Sequence, residues 1–467
     1  MTSITTKRSE HGGSEGWSSQ RIHWVGIGGS GMSGLARMVR GLGARCSGTD
    51  RGESPVVSAL RADGFEVGLD QSGSAVAEAT TLVVASAAIA EDHPELLRAR
   101  ELGSPVVRYA EMLGRVMSER VGVAVAGTHG KSTTTSLLSH VLIEAGLDPS
   151  LIVGANCAQI GGGWRLGGSD LLVAEACEFA RSFHHLRPEH AIILNIEADH
   201  LDIYDGLDEI VAAFATFAGG IRAEGSLLIQ HELPQRMDVI AGLGCAVETL
   251  GFAPQADWRV SVEGGRATLR GRDGREHAWR MPMPGEHMAY NAAAAAVTAH
   301  RLGAEWGVIE RAIEGFAGLD RRMQRLGEVE GVVVIDDYGH HPTEIDTTLR
   351  ALRDGYSPER LICVFQPHQH SRTRFLMEQF AASFGVADVV LVPEIYFVRD
   401  SEQERQQVRA AELVSRLRGR GVQAMHVDPI EAITDQLRLM MRAGDLVVTM
   451  GAGDVWRVGH ALVGEGA

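Results

Sequence analysis

Residues 121–142, VGVAVAGTHGKSTTTSLLSHVL, contain the pattern that decides the fold. A run of small and apolar residues ends in a loop bracketed by Gly127 and Gly130, and Lys131 then opens a segment of helical character. Strand, glycine loop and helix in this order are typical of a phosphate-binding turn in a parallel α/β sheet. The loop is a shortened form, because Val125 stands where the usual first glycine would be. We predict that its backbone amides wrap a triphosphate.

The side chains of this loop suit ATP and Mg²⁺. Lys131 can neutralise the β- and γ-phosphate oxygens, and the Ser132 hydroxyl can bind Mg²⁺. Lysine occurs only at positions 7 and 131, so the single lysine of the predicted folded body lies where a triphosphate needs one. The alternative is a chance Gly-Lys-Ser, against which the flanking strand and helix patterns argue.

A second glycine cluster, GIGGSGMSG at 26–34, also follows an apolar run. Gly26, Gly28 and Gly31 match the spacing of a turn that holds a diphosphate, and Asp50 follows at the distance expected for such a unit. A dehydrogenase and a plain glycine turn are the other interpretations. A dehydrogenase has no use for the 127–132 loop, so two phosphate-binding turns favour a reaction between ATP and a second, diphosphate-bearing substrate.

Strand and helix patterns alternate three times along the chain, which predicts an α/β protein with parallel sheets. We expect a disordered tail over 1–20 and three domains, over 21–119, 120–322 and 323–467. Polar alternation over 251–284 predicts antiparallel hairpins, and residues 285–303 predict a helix.

Charge and composition narrow the function further. The net charge of −16 argues against a nucleic-acid binder, which would show a basic surface. No apolar run is long enough for a membrane span, and the start of the chain lacks the apolar stretch of a signal peptide. Five widely spaced cysteines fit free thiols in a reducing cytosol, so we expect a cytoplasmic location.

Further polar residues follow the predicted strands of the middle part. Glu175 in VAEACEF is chemically suited to share Mg²⁺ with Ser132, since Mg²⁺ prefers oxygen ligands. His200 in NIEADHLDIY is a less usual ligand for Mg²⁺, and a structural role at the strand end is its alternative. Glu178 and Asp199 are either neighbours of the ligands or merely solvated.

Histidines and one arginine follow two strands of the last part, in DDYGHHPTE (336–344) and FQPHQHSRT (365–373). A zinc site is conceivable, but no cysteine or carboxylate pattern of ligand spacing supports it. A pocket for an amine substrate is the simpler interpretation. Histidine can accept a proton from an ammonium group, and Arg372 can hold a carboxylate through two parallel hydrogen bonds.

The motifs GTHGKS, NIEADH, GEHMAYNAAAA, DRRMQR, DDYGHHPTEI, FQPHQHSRTR and MGAGD, in this order, resemble those of the Mur ligases. The resemblance covers roughly residues 21 to 460. It implies a Rossmann-like UDP-binding domain, a P-loop-type central ATPase domain and a Rossmann-like C-terminal domain. Tyr338 and Gly339 resemble the alanine-adding members, which form an amide between UDP-N-acetylmuramate and L-alanine with ATP and Mg²⁺.

The resemblance also implies a set of site residues. The expected UDP-sugar-binding residues are Gly28, Gly29, Ser30, Gly31, Met32, Ser33, Asp50, Ser86 and Arg108. Those expected to bind ATP are Gly127, Thr128, His129, Gly130, Lys131, Ser132, Thr133, His287, Asn291 and Arg322. The amino acid is expected at Tyr338, His340, His341, His368 and Arg372, and the metal at Ser132, Glu175 and His200. The expected catalytic residues are Lys131, Glu175, His200, His340 and Arg372.

Three positions depart from the usual pattern of the family. Cys177 replaces a frequent aspartate, Met288 an asparagine and Asp70 a histidine. Two alternatives stay open: a recycling ligase that adds a whole peptide to the same sugar nucleotide, and a non-catalytic nucleotide-binding paralogue. We expect no nucleic acid or membrane partner, and a monomer or weak homodimer.

Overall fold

The computed structural model describes residues 14–201 and 203–464. These residues divide into two compact units. The first comprises the described residues up to Ile196 together with Val211–Arg259 and Ala294–Ala312. The second comprises the described residues of Glu197–Ile210, Val260–Ala293 and the chain from Ile313 onwards.

The first sheet of the first unit is parallel and has the strand order β3-β2-β1-β4-β5. Its strands are β1 Arg21–Val25, β2 Arg45–Thr49, β3 Glu66–Gly68, β4 Leu82–Ala85 and β5 Val106–Arg108. The helices are α1 Ser14–Ser18, α2 Ser30–Gly41, α3 Pro55–Ala62, α4 Pro94–Glu101 and α5 Tyr109–Ser118. The strand order reverses beside β1, and ligands of open α/β sheets bind at such a point, beyond the carboxyl ends of the strands.

The predicted disorder is wrong for the part of the tail that the structure describes; residues 1–13 lie outside it. Helix α1 is ordered, and Trp17 is only 8% exposed. Its indole Nε1–H donates a hydrogen bond to Glu119 Oε2 at 2.7 Å. The Ser/Gly-rich composition suggested disorder, but one tryptophan buries enough apolar surface to hold a short helix against the domain.

The second sheet of the first unit has the order β12-β11-β10-β6-β9-β7-β8. Its strands are β6 Val121–Ala126, β7 Ser150–Ile152, β8 Trp164–Arg165, β9 Leu171–Ala176, β10 His190–Ile193, β11 Ser226–Gln230 and β12 Ala246–Gly251. The helices of this stretch are α6 Lys131–Glu144, α7 Leu207–Ala218 and α8 Arg236–Ile240, with 3₁₀ turns at Ala158–Ile160 and Phe179–His185. Central β6 pairs in parallel with β10 and β9, so the ends of all three strands share one edge.

The predicted hairpin and helix of the following stretch are confirmed. After β13 Trp258–Glu263, β14 Arg266–Gly271 and β15 Glu276–Arg280 form an antiparallel hairpin in the second unit. Helix α9 Glu286–Arg301 follows, and then α10 Trp306–Glu314. An uninterrupted alanine run at 292–296, completely buried, favours the long helix α9, because alanine has the highest helix propensity.

The third sheet lies in the second unit and has the order β16-β17-β21-β18-β19-β20, with only β16 antiparallel. Its strands are β16 Gln324–Val329, β17 Val332–Asp337, β18 Arg360–Phe365, β19 Val389–Val392, β20 Gln423–His426 and β21 Asp445–Met450. The helices are α11 Pro342–Tyr356, α12 His370–Phe375, α13 Met377–Ala382, α14 Glu402–Arg405, α15 Ala410–Gly419, α16 Ala432–Met440 and α17 Trp456–Val463.

Both faces of the third sheet are apolar. Along β18, Cys363 and Phe365 belong to one buried cluster, whereas Ile362 and Val364 belong to the other. Burial on both faces requires the near-continuous apolar strands from which the parallel sheet was predicted. The predicted α/β class is thus confirmed. Among the described residues, no helix has the length and apolar character that crossing a bilayer requires.

Candidate active site

The glycine turn after β1 is held by the end of the neighbouring strand β2. The N–H groups of Gly26 and Ile27 donate to the Thr49 carbonyl at 2.9 and 3.0 Å, and the Gly28 N–H donates to Asp50 Oδ2 at 2.8 Å. A Cβ at position 28 would lie 2.8 Å from that carboxylate oxygen, so only glycine fits there. Asp50, expected beside the sugar nucleotide, therefore also fixes the shape of the turn.

Helix α2 begins directly after this turn, with Gly29 at its N-cap. The N-terminus of a helix suits a pyrophosphate. The side chains of Met32 and Ser33 are only 3% and 5% exposed, so their backbone rather than their side chains is available to a ligand. A Cβ at Gly31 would lie 3.0 Å from the ring of Tyr109, which accounts for glycine at that position. The Ser30 side chain lies outside the described residues.

Arg108 is already engaged within the protein. Its Nη1 donates to the carbonyl oxygens of Ser86 and Ile89 at 3.1 and 2.8 Å, and its Nη2 pairs with Glu91. These contacts bring the predicted residues Ser86 and Arg108 together beyond the ends of β4 and β5. The contacts fix the loop after β4, and any contact of Arg108 with an anion would be made by a guanidinium that is held in place.

The loop between β6 and α6 has the backbone of a phosphate-binding turn. Gly127 has φ 142° and Gly130 has φ 83°, conformations that a side chain would strain. Gly130 is the N-cap of α6, whose first residues are Lys131, Ser132 and Thr133. Thr133 is 4% exposed and Ser132 is half-buried. The turn therefore aims the positive end of a helix at its ligand.

Asn195 braces this loop, and sequence reasoning missed it. Its Oδ1 accepts a hydrogen bond from the His129 N–H at 2.7 Å, and its Nδ2 donates to the His129 carbonyl at 3.1 Å. Its own carbonyl accepts from the Thr128 N–H at 3.2 Å. The available signal was its position just after β10, the strand that pairs with β6.

Replacement of Asn195 by alanine is expected to weaken ADP binding by up to about thirty-fold, because the loop loses two hydrogen bonds worth about 1 kcal/mol each. Isothermal titration with ADP measures the effect. Asn195→Asp is the matched control, since it keeps the acceptor for the His129 N–H and should retain part of the affinity. Equal affinity of Asn195→Ala and the parent protein would show that the brace does not shape the site.

Lys131 is paired with Glu178 in this unit. Its Nζ lies 3.0 Å from Glu178 Oε2 and 3.2 Å from Oε1, and it donates to the carbonyl oxygens of Gly127 and Thr128 at 2.5 and 3.1 Å. Burial alone would lower the pKa of Lys131, but the Glu178 carboxylate outweighs burial and raises it. The lysine is therefore fully charged at neutral pH.

Glu175 and Ser132 stand at the same edge of the second sheet, because Glu175 precedes the end of β9 and β9 pairs with β6. Glu175 Oε1 accepts a hydrogen bond from the Gly154 N–H at 2.6 Å. A Cβ at Gly154 would lie 3.2 Å from Glu175 Oε2. The carboxylate is thus oriented by a backbone amide, and carboxylate and hydroxyl oxygens such as those of Glu175 and Ser132 are the kind of ligand that Mg²⁺ prefers.

The other predicted ATP-binding residues lie in the second unit. His287 and Asn291 are separated by one turn of α9 and so share a face; Asn291 is 5% exposed. Burial lowers the pKa of His287 to about 4. Met288, the departure from the family pattern, is 5% exposed and belongs to an apolar cluster of the third sheet. Its side chain serves packing.

Tyr338 is covered by two arginines. The guanidinium carbons of Arg321 and Arg322 lie 4.9 and 5.2 Å from the centre of its ring. Arg322 Nη1 also lies 3.6 Å from Glu344 Oε1. Arg322 was predicted, whereas Arg321 was not, although both belong to the DRRMQR motif. The pair places two positive charges beside the aromatic ring at the end of β17.

Two buried aspartates organise this strand end. Asp336 Oδ2 accepts from Arg321 Nε at 3.1 Å. Asp337 accepts from the N–H groups of Met323 and Gly339 at 2.8 and 2.7 Å. Burial raises the pKa of Asp337 to about 6. Through these contacts the segment that carries the two arginines is tied to the loop that carries Tyr338.

Arg372 is bound to Asp199, which sequence reasoning had left as either a neighbour of the site or a solvated group. Its Nη2 and Nε lie 3.0 and 3.1 Å from Asp199 Oδ1, and both side chains are 8% exposed. Its Nη1 lies 3.4 Å from His368 Nδ1. Burial would raise the pKa of Asp199, but Arg372 and the neighbouring histidines hold it well below its usual range. The arginine is thus held in one orientation.

His340 and His368 face this arginine as neutral rings. Burial lowers the pKa of His340 to about 4, and burial, His340 and Arg372 lower that of His368 to about 3. The rings lie 6.0 Å apart, and His368 stacks on Tyr396 at 5.6 Å. A base of such low pKa takes a proton from an ammonium group only at a large cost. The geometry therefore favours neutral hydrogen-bond partners over the proton acceptors expected from sequence.

His341, expected to bind the amino acid, is a helix cap. Its Nδ1 accepts from the Thr343 N–H at 3.3 Å, and its Nε2 lies 3.2 Å from the Ala198 carbonyl. Its N–H and the Glu344 carboxylate complete a capping box at the start of α11. Both ring nitrogens are in use, so its role in this structure is to anchor α11.

His200 adopts a left-handed conformation, with φ 53°. Its N–H donates to Asp199 Oδ1 at 2.7 Å, and its carbonyl accepts from the N–H groups of Ile203 and Tyr204 at 2.8 and 3.0 Å. His200 and Arg372 both line a small cavity of about 10 Å³ next to Asp199. The residue therefore shapes a tight turn beside the arginine, in the second unit, whereas Ser132 and Glu175 lie in the first.

Three family models match successive parts of the chain. The Mur ligase family catalytic domain matches residues 21–121, the Mur ligase middle domain residues 125–299, and the Mur ligase glutamate ligase domain residues 321–453. The chain belongs to the Mur ligase family. The motif resemblance is thereby confirmed.

Individual relatives match this Mur ligase over nearly its whole length. A curated UDP-N-acetylmuramate–L-alanine ligase from Caldanaerobacter subterraneus subsp. tengcongensis is 38% identical, over 96% of this chain and 98% of the relative. The crystal structure of UDP-N-acetylmuramate–alanine ligase from Thermotoga maritima has a TM-score of 0.76 and 25% identity, over 95% of this chain and 98% of that one. A murein peptide ligase from Psychrobacter arcticus, with a TM-score of 0.69 and 24% identity over 95% and 98% of the two chains, shares the fold.

Proposed function

We propose that this Mur ligase joins L-alanine to the lactyl carboxylate of UDP-N-acetylmuramate, with conversion of ATP to ADP and phosphate, as a step of peptidoglycan synthesis. The observation that carries the proposal is the pair of glycine turns, one after β1 and one after β6, each followed by a helix N-terminus. The full-length match to a curated L-alanine ligase supports the choice of substrates. The product is UDP-N-acetylmuramoyl-L-alanine.

The reaction needs two displacements. The carboxylate oxygen attacks the γ-phosphorus of ATP and ADP leaves, which gives an acyl phosphate. The amine of L-alanine then attacks the acyl carbon, phosphate leaves, and the nitrogen loses a proton. Phosphoryl transfer depends mostly on positioning and charge neutralisation, which is the role we assign to Lys131 and to the amides of 127–132.

We assign the metal to the oxygen donors of the first unit. The Glu175 carboxylate and the Ser132 hydroxyl would hold Mg²⁺, which would neutralise charge on the phosphate oxygens. His200 stays a prediction from the family resemblance, as a match to a residue near a second metal. Glu175→Ala is expected to raise the Mg²⁺ concentration needed for half-maximal activity at least ten-fold, as measured by magnesium titration. Glu189→Gln, which removes a carboxylate outside the loop, is the control; an unchanged titration for Glu175→Ala would place the ligand elsewhere.

The remaining assignments follow the two ends of the reaction. We place the UDP-sugar at the first sheet through Gly28, Gly29, Ser30, Gly31, Met32, Ser33, Asp50, Ser86 and Arg108. His287, Asn291 and Arg322 are proposed to contact the nucleoside. Tyr338, His340, His368 and Arg372 are proposed to bind L-alanine, with Arg372 on its carboxylate, and His341 to support them. We propose a cytoplasmic enzyme that works as a monomer or weak homodimer.

Release of phosphate tests the proposal directly. The enzyme is incubated with ATP, Mg²⁺ and UDP-N-acetylmuramate, and either L-alanine or a murein tripeptide is added in parallel. Release that depends on L-alanine is expected. Preference for the tripeptide would assign the chain to the recycling ligases, and no release with either amine would indicate a nucleotide-binding protein without this activity.

A further inference from the structure

The contacts of Lys131 leave no N–H group for a phosphate. An ammonium group has three N–H donors. Two point at the carbonyl oxygens of Gly127 and Thr128, and the third faces both carboxylate oxygens of Glu178, at 3.0 and 3.2 Å. The proposed function, on which this inference rests, requires the Lys131 ammonium group to contact the β- and γ-phosphate oxygens of ATP. One of these contacts must therefore be given up when the nucleotide binds.

The two carbonyl contacts are built into the loop. The Thr128 N–H is fixed to the Asn195 carbonyl, and His129 is fixed to the Asn195 side chain through both its N–H and its carbonyl. Moving the carbonyl of Thr128 would break the turn that is to wrap the phosphates. We therefore expect Lys131 to keep its hydrogen bonds to the Gly127 and Thr128 carbonyl oxygens when the nucleotide binds.

The Glu178 contact is the replaceable one. Glu178 follows β9 and stands just before Ala180 and Arg181, which have φ of 50° and 53°. Such left-handed conformations cost non-glycine residues free energy, and a movement of this segment that released Glu178 could relieve that strain. The Glu178 side chain is 4% exposed, and as an anion beside the loop it also repels the phosphates that approach it.

We propose that Glu178 is a latch that occupies Lys131 in the nucleotide-free enzyme and is displaced by the β- and γ-phosphates of the incoming nucleotide. Glu178 competes with the ligand for one cation, so the pair lowers the affinity for ADP and ATP. It also keeps a buried lysine charged and oriented until the nucleotide arrives. This role rests on the proposed nucleotide site, and it assigns Glu178 as a positioning residue that acts through Lys131.

The test is a double-mutant cycle on ADP affinity, measured by isothermal titration with the full-length protein. Glu178→Gln keeps the shape and removes the charge, and it is expected to lower the Kd for ADP by about ten-fold. In the Lys131→Ala background the same substitution should tighten ADP binding clearly less, since only the direct repulsion between Glu178 and the phosphates is then removed. Glu178→Asp, which withdraws the carboxylate by one methylene, should fall between the parent and Glu178→Gln.

Three results would overturn the latch. Weaker or unchanged ADP binding in both Glu178→Gln and Glu178→Asp would show that the carboxylate supports the nucleotide complex instead. An equal gain in ADP affinity from Glu178→Gln with and without Lys131 would show that the carboxylate acts only by repelling the phosphates. A parent protein that binds no ADP would refute the nucleotide site itself, a failure distinct from the first two.

Discussion

Replacement of Lys131 by methionine is expected to lower turnover by several orders of magnitude while the fold is kept. The side chain supplies the one lysine charge near the proposed γ-phosphate, and a charge aimed at a phosphoryl group acts where the transition state needs it. Turnover is measured as phosphate release under saturating substrates, so that weaker binding is separated from slower chemistry.

The loss of Lys131 also removes its ion pair with Glu178, and breaking a buried ion pair destabilises a protein by about 3 kcal/mol. The double variant Lys131→Met/Glu178→Gln removes both charges and is the matched control. It should regain the melting temperature of the parent and remain inactive. Near-normal turnover in either variant would refute the assignment of the 127–132 loop to the triphosphate.

Replacement of Asp199 by asparagine is expected to destabilise the protein by about 3 kcal/mol and to raise the KM for L-alanine far more than it lowers kcat. The substitution leaves the guanidinium of Arg372, 8% exposed, without a counter-charge. It also removes the contact that holds Arg372 in one orientation, and Arg372 is the residue proposed to bind the alanine carboxylate. Asp346→Asn is the control, because its pair with Arg350 is exposed and such pairs contribute at most about 1 kcal/mol.

The difference in free energy of unfolding between the parent and Asp199→Asn should depend on pH in one direction. Arg372 holds the pKa of Asp199 below its usual range, so the pair stabilises the protein at every pH above the pKa of an unfolded aspartate, about 3.9. The difference in free energy of unfolding between parent and Asp199→Asn should be constant from about pH 8 to pH 5 and should shrink as the pH falls below about 4. A difference that disappeared near pH 6 would point to histidine protonation rather than to Asp199.

The two glycine turns could be predicted from sequence because each is formed by residues that are close together in the chain. Gly127 and Gly130 adopt conformations that only glycine takes without strain, and a strand and a helix must flank them for the turn to work. Lys131, Ser132 and Glu175 could be proposed for a related reason: their chemistry and their place next to a strand end follow from the order of the chain. The alternation of strands and helices likewise predicted the parallel sheets.

What the structure added comes from pairs that are distant in sequence. Asn195 meets His129 only because β10 lies beside β6, and Asp199 meets Arg372 across more than 170 residues. From the sequence alone, the histidines of the last domain were interpreted as groups that could accept a proton. Burial makes His340 and His368 neutral and weakly basic, and the start of α11 engages His341 as a cap.

The sequence by itself determined the class of fold, the two glycine turns and the family, because these depend on residue order over short stretches. Only the tertiary structure decided which charges are neutralised and by which partner. Glu178, which sequence left as either a neighbour of the site or a solvated group, is paired with Lys131, and Arg372 is held by Asp199. The physical reason is that the energy of a charge depends on its burial and on its nearest opposite charge, and both are set by strands that meet only in the folded chain.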